Sequence, residues 1–495
     1  MEQPKQNFFG RLGAKRVRNF NEVSPGYSKK LAVNEARRCG GCVRTMCAQG
    51  CPLGIDIPGF IRLIREGDTN SALELIKRQN PFPAVCGRVC GAPCESSCVL
   101  TSSESDSIKV EGPTGIRALE RYAADFGKSN PAKKKQPPTG KKAAIVGSGP
   151  SGLTAAAVLA RGGYRLSVFE LLDKPGGVLR YGIPGFRLPR KVLDSEINEI
   201  KSLGVDIITN CYASKTVTFE DLWKEGFKAV LIATGAGIPK FLDIPGTNLG
   251  GVYYGEEFLM RVNSLGKNAA FLLSFPFPTS NLPPASKNSK GDLKLCLLRG
   301  SSITQSIHCP FGTKVVVIGS GNMALDCARA AVRLGAEVTL LSSQPTDDRL
   351  TVRKESEYAQ EEGVHSEVMV KVTGVLGGPN NFVSGVKCLR LDYADIQGKG
   401  QWELASVPDS EFTLEADTVI LVNGHTPNTL INRGGSRLRL NDDGTIWVDA
   451  QNSMTSLEGV FAAGNVATNS GGLVQAMASG KKTAERMDQY LKTAH

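Results

Sequence analysis

The 495-residue sequence has no apolar run long enough to cross a bilayer. Its first twenty residues, MEQPKQNFFGRLGAKRVRNF, lack the apolar core that a secretory leader needs. No membrane partner is expected, and the expected setting is cytoplasmic. Thiols stay reduced there, which argues against disulfides as the use of the 13 cysteines. Histidine is scarce as well. His308, His365, His425 and His495 are the only four, and none lies near the cysteine-rich segment, so mixed cysteine–histidine zinc sites are disfavoured. Basic clustering is also missing. The net charge of +11 favours anionic ligands or an acidic partner, yet Lys and Arg are spread along the chain. The densest run, Lys133 to Lys135, sits beside Pro137 and Pro138 in a linker-like stretch, and no nucleic acid partner is expected.

Cysteine is present and concentrated. Eight of the 13 fall between Cys39 and Cys98, in two groups. The first, Cys39-x2-Cys42-x4-Cys47-x3-Cys51-Pro52, is close to the bacterial ferredoxin run C-x2-C-x2-C-x3-C-P. The second, Cys86-x3-Cys90-x3-Cys94-x3-Cys98, offers further thiolates. Two [4Fe–4S] clusters take about eight ligands, which matches the count. Zinc stays open as the alternative on spacing alone. The scattered Cys211, Cys296, Cys309, Cys327 and Cys388 read as core or surface thiols. Between the two groups, the apolar spacing of IPGFIRLIREGDTNSALELIKRQNPFP predicts two amphipathic helices broken at Gly67-Asp68. A further helix is predicted over 115–124.

After the Lys- and Pro-rich linker, strand and helix signals alternate. Gly147-Ser148-Gly149-Pro150-Ser151-Gly152 follows an apolar strand at 143–146 and opens a helix, the context a phosphate-binding turn requires. Its glycines serve a tight turn, backbone approach to a pyrophosphate, and helix-on-strand packing. Glu170 ends the next strand, where a carboxylate can accept from ribose hydroxyls. Gly319-Ser320-Gly321-Asn322-Met323-Ala324 repeats the pattern, but its next strand ends in Ser342-Ser343-Gln344 without an acid, which permits a 2′-phosphate. Strand-like runs at 228–233 and 417–422 end in small-residue turns. A late β-run reaches Gly464-Asn465, and Gly471-Gly472-Leu473 opens a helix whose N-terminus would favour negative charge on a reduced flavin ring.

The expected fold is α/β: two Rossmann-like nucleotide-binding domains, for FAD and NAD(P), preceded by an α-helical domain binding two [4Fe–4S] clusters. The expected boundaries are 1–126 for the arm and cluster domain, 127–142 for the linker, and 143–263 with 413–495 for the FAD part. The NAD(P) part is expected at 313–412. The Ser-, Pro- and Asn-rich 264–312 reads as a surface insertion.

In these motifs the sequence resembles the small subunit of glutamate synthase and its relatives. Among those are the flavin subunit of the NADH-dependent ferredoxin:NADP oxidoreductase and the N-terminal half of dihydropyrimidine dehydrogenase. The likeness covers about 18–491 apart from the insertion. It is carried by NFNEVSPGYS, CPLGIDIPGFIRLIREGD, CGRVCGAPCESSCVL, VGSGPSGLTAA, GGVLRYGIPGFRLPR, ATGAG and GVFAAGNV. The resemblance implies that Cys39, Cys42, Cys47 and Cys98 hold one cluster. It implies that Cys51, Cys90, Cys94 and Glu120 hold the other, leaving Cys86 free. The plain alternative for Glu120 is a solvated helix face. The resemblance further assigns Gly147, Gly149, Pro150, Ser151, Gly152, Glu170, Gly177, Arg180, Thr234, Gly464 and Asn465 to FAD. Gly319, Gly321, Asn322 and Ala324 go to the nicotinamide nucleotide, NADPH or NADH.

Two departures from the family pattern stand out. Ser343 and Gln344 replace two arginines that grip the 2′-phosphate of NADPH. Charged hydrogen bonds contribute roughly 1.5–3 kcal/mol each, so losing both could erase about a hundredfold preference unless Arg349 or Arg353 compensates. Asn465 stands where relatives carry an aspartate that receives a flavin ribityl hydroxyl; its amide oxygen still accepts.

The resemblance implies hydride transfer from NAD(P)H to FAD and single-electron passage through the clusters to a partner. That partner is a glutamate synthase large subunit or a ferredoxin-type protein, with homo-oligomer formation also allowed. The chain has no visible amidotransferase or barrel domain. The rival readings are a ferredoxin-linked or bifurcating transhydrogenase subunit, a sulfide dehydrogenase subunit, and a redox sensor or scaffold without turnover.

Overall fold

The computed structural model describes residues 17, 19–101, 112–129, 136–265, 313–345, 350–395, 402–434, 438–469 and 471–493. The N-terminal arm to residue 16, Lys133 to Lys135, the insertion beyond residue 265, Cys296, His308, Cys309, Arg349 and His495 lie outside the described residues. The chain forms two compact units, one of residues 1–241, 348–355 and 423–495, the other of 242–347 and 356–422.

Among the described residues, the N-terminal part of the first unit holds seven short α-helices: α1 (Lys29–Arg37), α2 (Met46–Gln49), α3 (Ile57–Glu66), α4 (Thr69–Lys77), α5 (Pro83–Val89), α6 (Pro93–Ser96) and α7 (Ile116–Phe126). Their limits follow from local chemistry. Asp56 caps α3 by accepting from the Gly59 N–H at 3.0 Å, and Gly67 stops it in the left-handed region. Asp68 at once caps α4 through the Ser71 N–H, also at 3.0 Å. The Gly-Asp pair therefore ends one helix and starts the next, as its spacing predicts.

A parallel sheet follows, built from β1 (Lys142–Val146), β2 (Arg165–Phe169), β3 (Val205–Ile208) and β4 (Phe227–Ile232). The late strand β16 (Val460–Ala462) completes the order β16-β4-β1-β2-β3. The reversal of strand order beside β1 makes the switch point where nucleotides bind in such sheets. The helices of this part are α8 (Pro150–Arg161), α9 (Val178–Tyr181), α10 (Arg190–Ser202), α11 (Phe219–Lys224), α15 (Asn465–Thr468) and α16 (Leu473–Thr493). The chain leaves and re-enters this unit through an antiparallel ribbon of β5 (Ile238–Pro239) and β15 (His425–Thr426).

One apolar core runs without a break from the small helices to the sheet. It includes Phe60, Ile64, Val85 and Leu119 together with Leu153, Leu193, Val474 and Met477. Polar contacts reinforce that join. Glu196 of α10 accepts from the Ala84 and Val85 N–H groups at 2.7 and 3.0 Å, capping α5 from across the fold. Lys77 pairs with Glu199 at 2.5 Å.

The second unit repeats the same topology. Its sheet runs β6 (Val252–Tyr254), β14 (Thr418–Val422), β7 (Lys314–Gly319), β8 (Glu337–Ser342), β9 (His365–Val368), all parallel. It carries α12 (Gly255–Leu265), α13 (Gly321–Arg333) and the second half of α14 (Leu350–Glu361). The sequence reading places 143–263 and 413 onward with the FAD part. β14 pairs instead with β7, whose buried central position needs a parallel neighbour on each edge, and β6 pairs with β14. An antiparallel sheet of β10 (Val370–Gly377), β11 (Val383–Asp395), β12 (Trp402–Ser406) and β13 (Phe412–Glu415) is added to it. Among the described residues, no helix is long and apolar enough to cross a membrane.

Candidate functional site

The phosphate turn in the first unit lies where β1 meets α8. Gly147 has φ +103°, a conformation that favours glycine. A Cβ on Gly152 would lie 2.0 Å from the Gly147 carbonyl oxygen, so helix and strand meet there with no room for a side chain. A Cβ on Gly149 would meet nothing within 4 Å, so this stretch of backbone faces open space. Pro150 and Ser151 form the first turn of α8. The Ser151 Oγ is buried without a hydrogen-bond partner among the described residues. A pyrophosphate oxygen fits such a position, since buried hydroxyls otherwise cost stability. Glu170, 6% exposed, ends β2 and accepts from the Ser148 N–H at 3.0 Å, from the Ser148 hydroxyl, and from the Leu172 N–H at 2.9 Å. Gly177 packs against Gly149, and the Gly464 N–H donates to the Ser479 Oγ at 2.9 Å. Asn465 opens the short helix α15.

Two expected FAD residues are already engaged elsewhere. The Thr234 hydroxyl donates to the Asn428 carbonyl at 2.7 Å. Arg180 donates to the Pro175 carbonyl at 2.6 Å and pairs with Asp194. The Thr234 hydroxyl is thus committed to the protein, and the Nε and Nη2 groups of Arg180 are held in place.

The cysteines sort into two places. Cys51, Cys86, Cys90, Cys94 and Glu120 line one pocket, walled also by Ile55, Ile57, Phe60, Ile116 and Val474. Here Glu120 is 7% exposed, so the solvated-face alternative does not hold; its Oε1 accepts from the Asn80 amide at 2.7 Å. Burial pushes its carboxyl up to about 8, with the Asn80 bond opposing. Burial likewise raises the thiols of Cys51, Cys86 and Cys94, and pushes Cys90 up to about 12. Thiols so placed become thiolates on binding metal, releasing their protons. Backbone N–H groups are already turned to these sulfurs: Ala92 to Cys90 at 3.3 Å, and Leu53, Gly54 and Ile55 to Cys51. Such donors support a sulfur that carries negative charge.

Cys39, Cys47 and Cys98 sit near enough to influence one another electrostatically, Cys47 at the start of α2 and Cys98 after α6. Cys42 is half-buried in the loop before α2. A second cavity beside Cys39 and Gly41 is lined by Arg62 and Arg65. Among the described residues, no three His, Cys, Asp or Glu side chains converge on a single ion. A four-iron cube spreads its ligands over separate irons, and the ring of sulfurs about the inner cavity fits that chemistry.

Sequence reasoning missed Asn80, Met477 and Lys481. Asn80 was visible only as a polar residue between apolar runs. The Met477 sulfur lies 3.7 Å from that of Cys86, and Lys481 donates to the Leu53 carbonyl at 3.0 Å; no local signal marks contacts between such distant residues. Helix α16 thus carries Val474 to the cysteine cavity and Gly480 to the phosphate turn, where a Cβ would lie 2.2 Å from the Ser151 carbonyl oxygen.

Helices α5 and α7 bring Cys86 and Cys90 opposite Glu120, and Gly87 sets their approach. A Cβ there would lie 2.5 Å from the Arg121 Cα. Overpacking a backbone contact costs about 1–3 kcal/mol or more. Gly87→Ala is therefore expected to part the two helices and lower the iron content per chain, read by iron assay on protein isolated without oxygen.

In the second unit, Gly319 ends β7, Gly321 and Asn322 open α13, and Ala324 is fully buried beneath that turn. Ser343 and Gln344 are exposed after β8, and the Ser342 hydroxyl holds the Gln344 N–H at 3.1 Å. Arg353 is exposed on α14.

Comparison with known proteins finds relatives for both parts. Residues 16–132 match the family described as dihydropyrimidine dehydrogenase domain II, 4Fe-4S cluster, and residues 141–480 match pyridine nucleotide-disulphide oxidoreductase. The chain is 30% identical over 489 residues to the glutamate synthase [NADPH] small chain of Azospirillum brasilense, across 97% of this chain and 94% of that one. To the NADP(+)-dependent formate dehydrogenase subunit beta of Moorella thermoacetica it is 31% identical, across 91% of this chain and 60% of the relative. Among solved structures, FprA of Mycobacterium tuberculosis shares the fold with a TM-score of 0.53 at 16% identity, covering 72% of this chain and 86% of that one.

Proposed function

The chain belongs to the glutamate synthase small-chain family, within the pyridine nucleotide-disulphide oxidoreductases, and is an NAD(P)H-dependent FAD/iron–sulfur oxidoreductase; on that premise we propose that it feeds single electrons to a partner subunit in glutamate synthesis. Bound FAD supplies the conversion of a two-electron hydride into single electrons that [4Fe–4S] clusters accept. The chain's own residues bind and orient. The Gly149 to Gly152 backbone and the Ser151 hydroxyl hold the pyrophosphate, and Glu170 accepts from the ribose. The N-terminus of α16 stabilises negative charge on the ring. Cys39, Cys42, Cys47 and Cys98 hold the outer cluster. Cys51, Cys90, Cys94 and Glu120 hold the inner one, and the apolar walls about it exclude water.

The observation that carries this reading is α16, which reaches from the cysteine cavity to the phosphate turn within one unit. The test is anaerobic addition of NADPH to purified protein. Bleaching of the flavin band followed by cluster reduction supports the reading; an unbleached flavin would favour a sensor or scaffold. Co-purification from the native cell then identifies the partner. The resemblance to the formate dehydrogenase subunit, and 32% identity to an NADPH-Fe(3+) oxidoreductase subunit beta of Geobacter sulfurreducens, favour a second reading in which the acceptor serves another reaction.

The choice of nicotinamide nucleotide is testable on the exposed turn after β8. Replacing Ser343 and Gln344 together by arginine should shift preference toward NADPH by about tenfold to a hundredfold. The ratio of kcat/KM for NADPH and NADH, before and after the change, measures it.

A further inference from the structure

The inner cavity holds one ligand too many. A [4Fe–4S] cube takes about four protein ligands, one per iron. Four thiols and one carboxylate line this cavity: Cys51, Cys86, Cys90, Cys94 and Glu120. Family resemblance leaves Cys86 without a role, yet the structure puts it on the cavity wall, 2% exposed.

Cys86 lies on α5 and Cys90 caps its C-terminus, the Cys90 N–H donating to the Cys86 carbonyl at 3.0 Å, and both line the same cavity. Glu120 faces them from α7. Asn80 holds one of the two candidates in place: its amide donates to Glu120 Oε1 at 2.7 Å. The Cys86 thiol lies 3.7 Å from the Met477 thioether, a weak acceptor that is given up at little cost. Soft thiolate suits iron–sulfur iron better than carboxylate does. Ile55, Ile57, Phe60 and Ile116 line the cavity with apolar surface, which disfavours water as a competitor for an open iron.

We propose that the inner cluster has two interchangeable fourth ligands, the Glu120 carboxylate and the Cys86 thiolate. In the exchange the iron–oxygen bond to Glu120 breaks and an iron–sulfur bond to Cys86 forms. The thiol proton passes to the freed carboxylate beside Asn80. No electron moves and the charge of the site is conserved, while the donor atom on one iron changes. Ligand identity is among the factors that set cluster potential, so the exchange offers two potentials in one cavity. The inference rests on the reading that this cavity holds a four-iron cluster.

The test uses the full-length protein isolated without oxygen, as wild type, Glu120→Leu, Cys86→Ala and the double variant. Leucine fills the buried space of the carboxylate without offering a ligand. Iron and sulfide per chain are measured together with the electron paramagnetic resonance of the oxidised protein. Each single variant is expected to keep about eight irons and a silent oxidised spectrum, and the double to fall toward about four irons or to show a three-iron signal. A three-iron signal or iron loss in Glu120→Leu alone overturns the proposal, because Cys86 then fails to serve. A double variant that keeps a full complement overturns it too. Should the double variant not fold, judged by its flavin content and melting curve, the oxidised spectrum of Glu120→Leu decides by itself. Wild type with only about four irons refutes the underlying reading of the cavity, and the wild-type control separates that failure from the other two.

Discussion

Gly152→Ala is expected to purify without flavin and to melt well below the wild type. The added methyl would lie 2.0 Å from the Gly147 carbonyl oxygen and 3.2 Å from Ile145 Cγ2. The first obstacle is backbone, held in place by β1 between β4 and β2, so no side-chain movement relieves it. Helix α8 must lift from the strand, at a cost of about 3 kcal/mol or more, the upper range for overpacking. The phosphate turn is the junction that lifts, so FAD retention falls with stability. Gly149→Ala separates the two effects. Its methyl enters open space, so the melting temperature is expected to hold within a few degrees. That open space is where a pyrophosphate would approach, so FAD affinity should fall about tenfold to a hundredfold. The flavin-to-protein absorbance ratio and a melting curve read both variants. Equal behaviour of the two would show that the turn has no role in holding a dinucleotide.

Glu362→Gln should cost the second unit about 3–5 kcal/mol, the penalty for breaking a buried ion pair from one side. Glu362 accepts from Arg329 at 2.8 and 2.9 Å and from Arg333 at 2.7 and 2.9 Å, with all three side chains at most 1% exposed. Glutamine takes the Glu362 carboxylate away from two buried guanidinium charges. Burial pushes the Glu362 carboxyl up, but the bonds from Arg333 and Arg329 outweigh it and hold the group at about 2, against an ordinary 4.5. A folded value below the unfolded one means stability that is complete above pH 4.5 and lost as pH falls toward 2. The gap corresponds to an amount on the order of 3 kcal/mol. Urea unfolding at pH 7 and at pH 3 measures both. The wild type should lose most of its margin over the variant at the lower pH, and an unchanged margin would show that the triad does not govern acid stability.

The parts of this fold legible in the sequence are those fixed by neighbours along the chain. The two glycine turns, the break at Gly67-Asp68, the strands feeding Glu170 and Ser343, and the presence of two cysteine groups all follow from spacing. What stayed hidden depends on contacts between distant residues. Thr234 reads as a flavin contact from its motif, but its hydroxyl is taken by Asn428, nearly two hundred residues on. Glu196 gives no sign in its own helix that it caps α5. Glu120 reads as either a ligand or a solvated side chain, and the core about α7 removes the second choice. The β10 to β13 sheet was unread because its register, such as Asp395 opposite Trp402, is set by pairing between strands rather than by any one local motif.

Helix α16 has a consequence for how this molecule keeps time. Val474 and Gly480 are six residues apart, a rise of about 9 Å on a rigid rod. Under the proposed function, the spacing between the phosphate turn and the cysteine cavity is thereby counted out in helical steps rather than left to the swing of a hinge. One residue inserted between them would turn the rod by about 100° and lift its far end from Ser151, stopping the current while leaving both ends chemically intact.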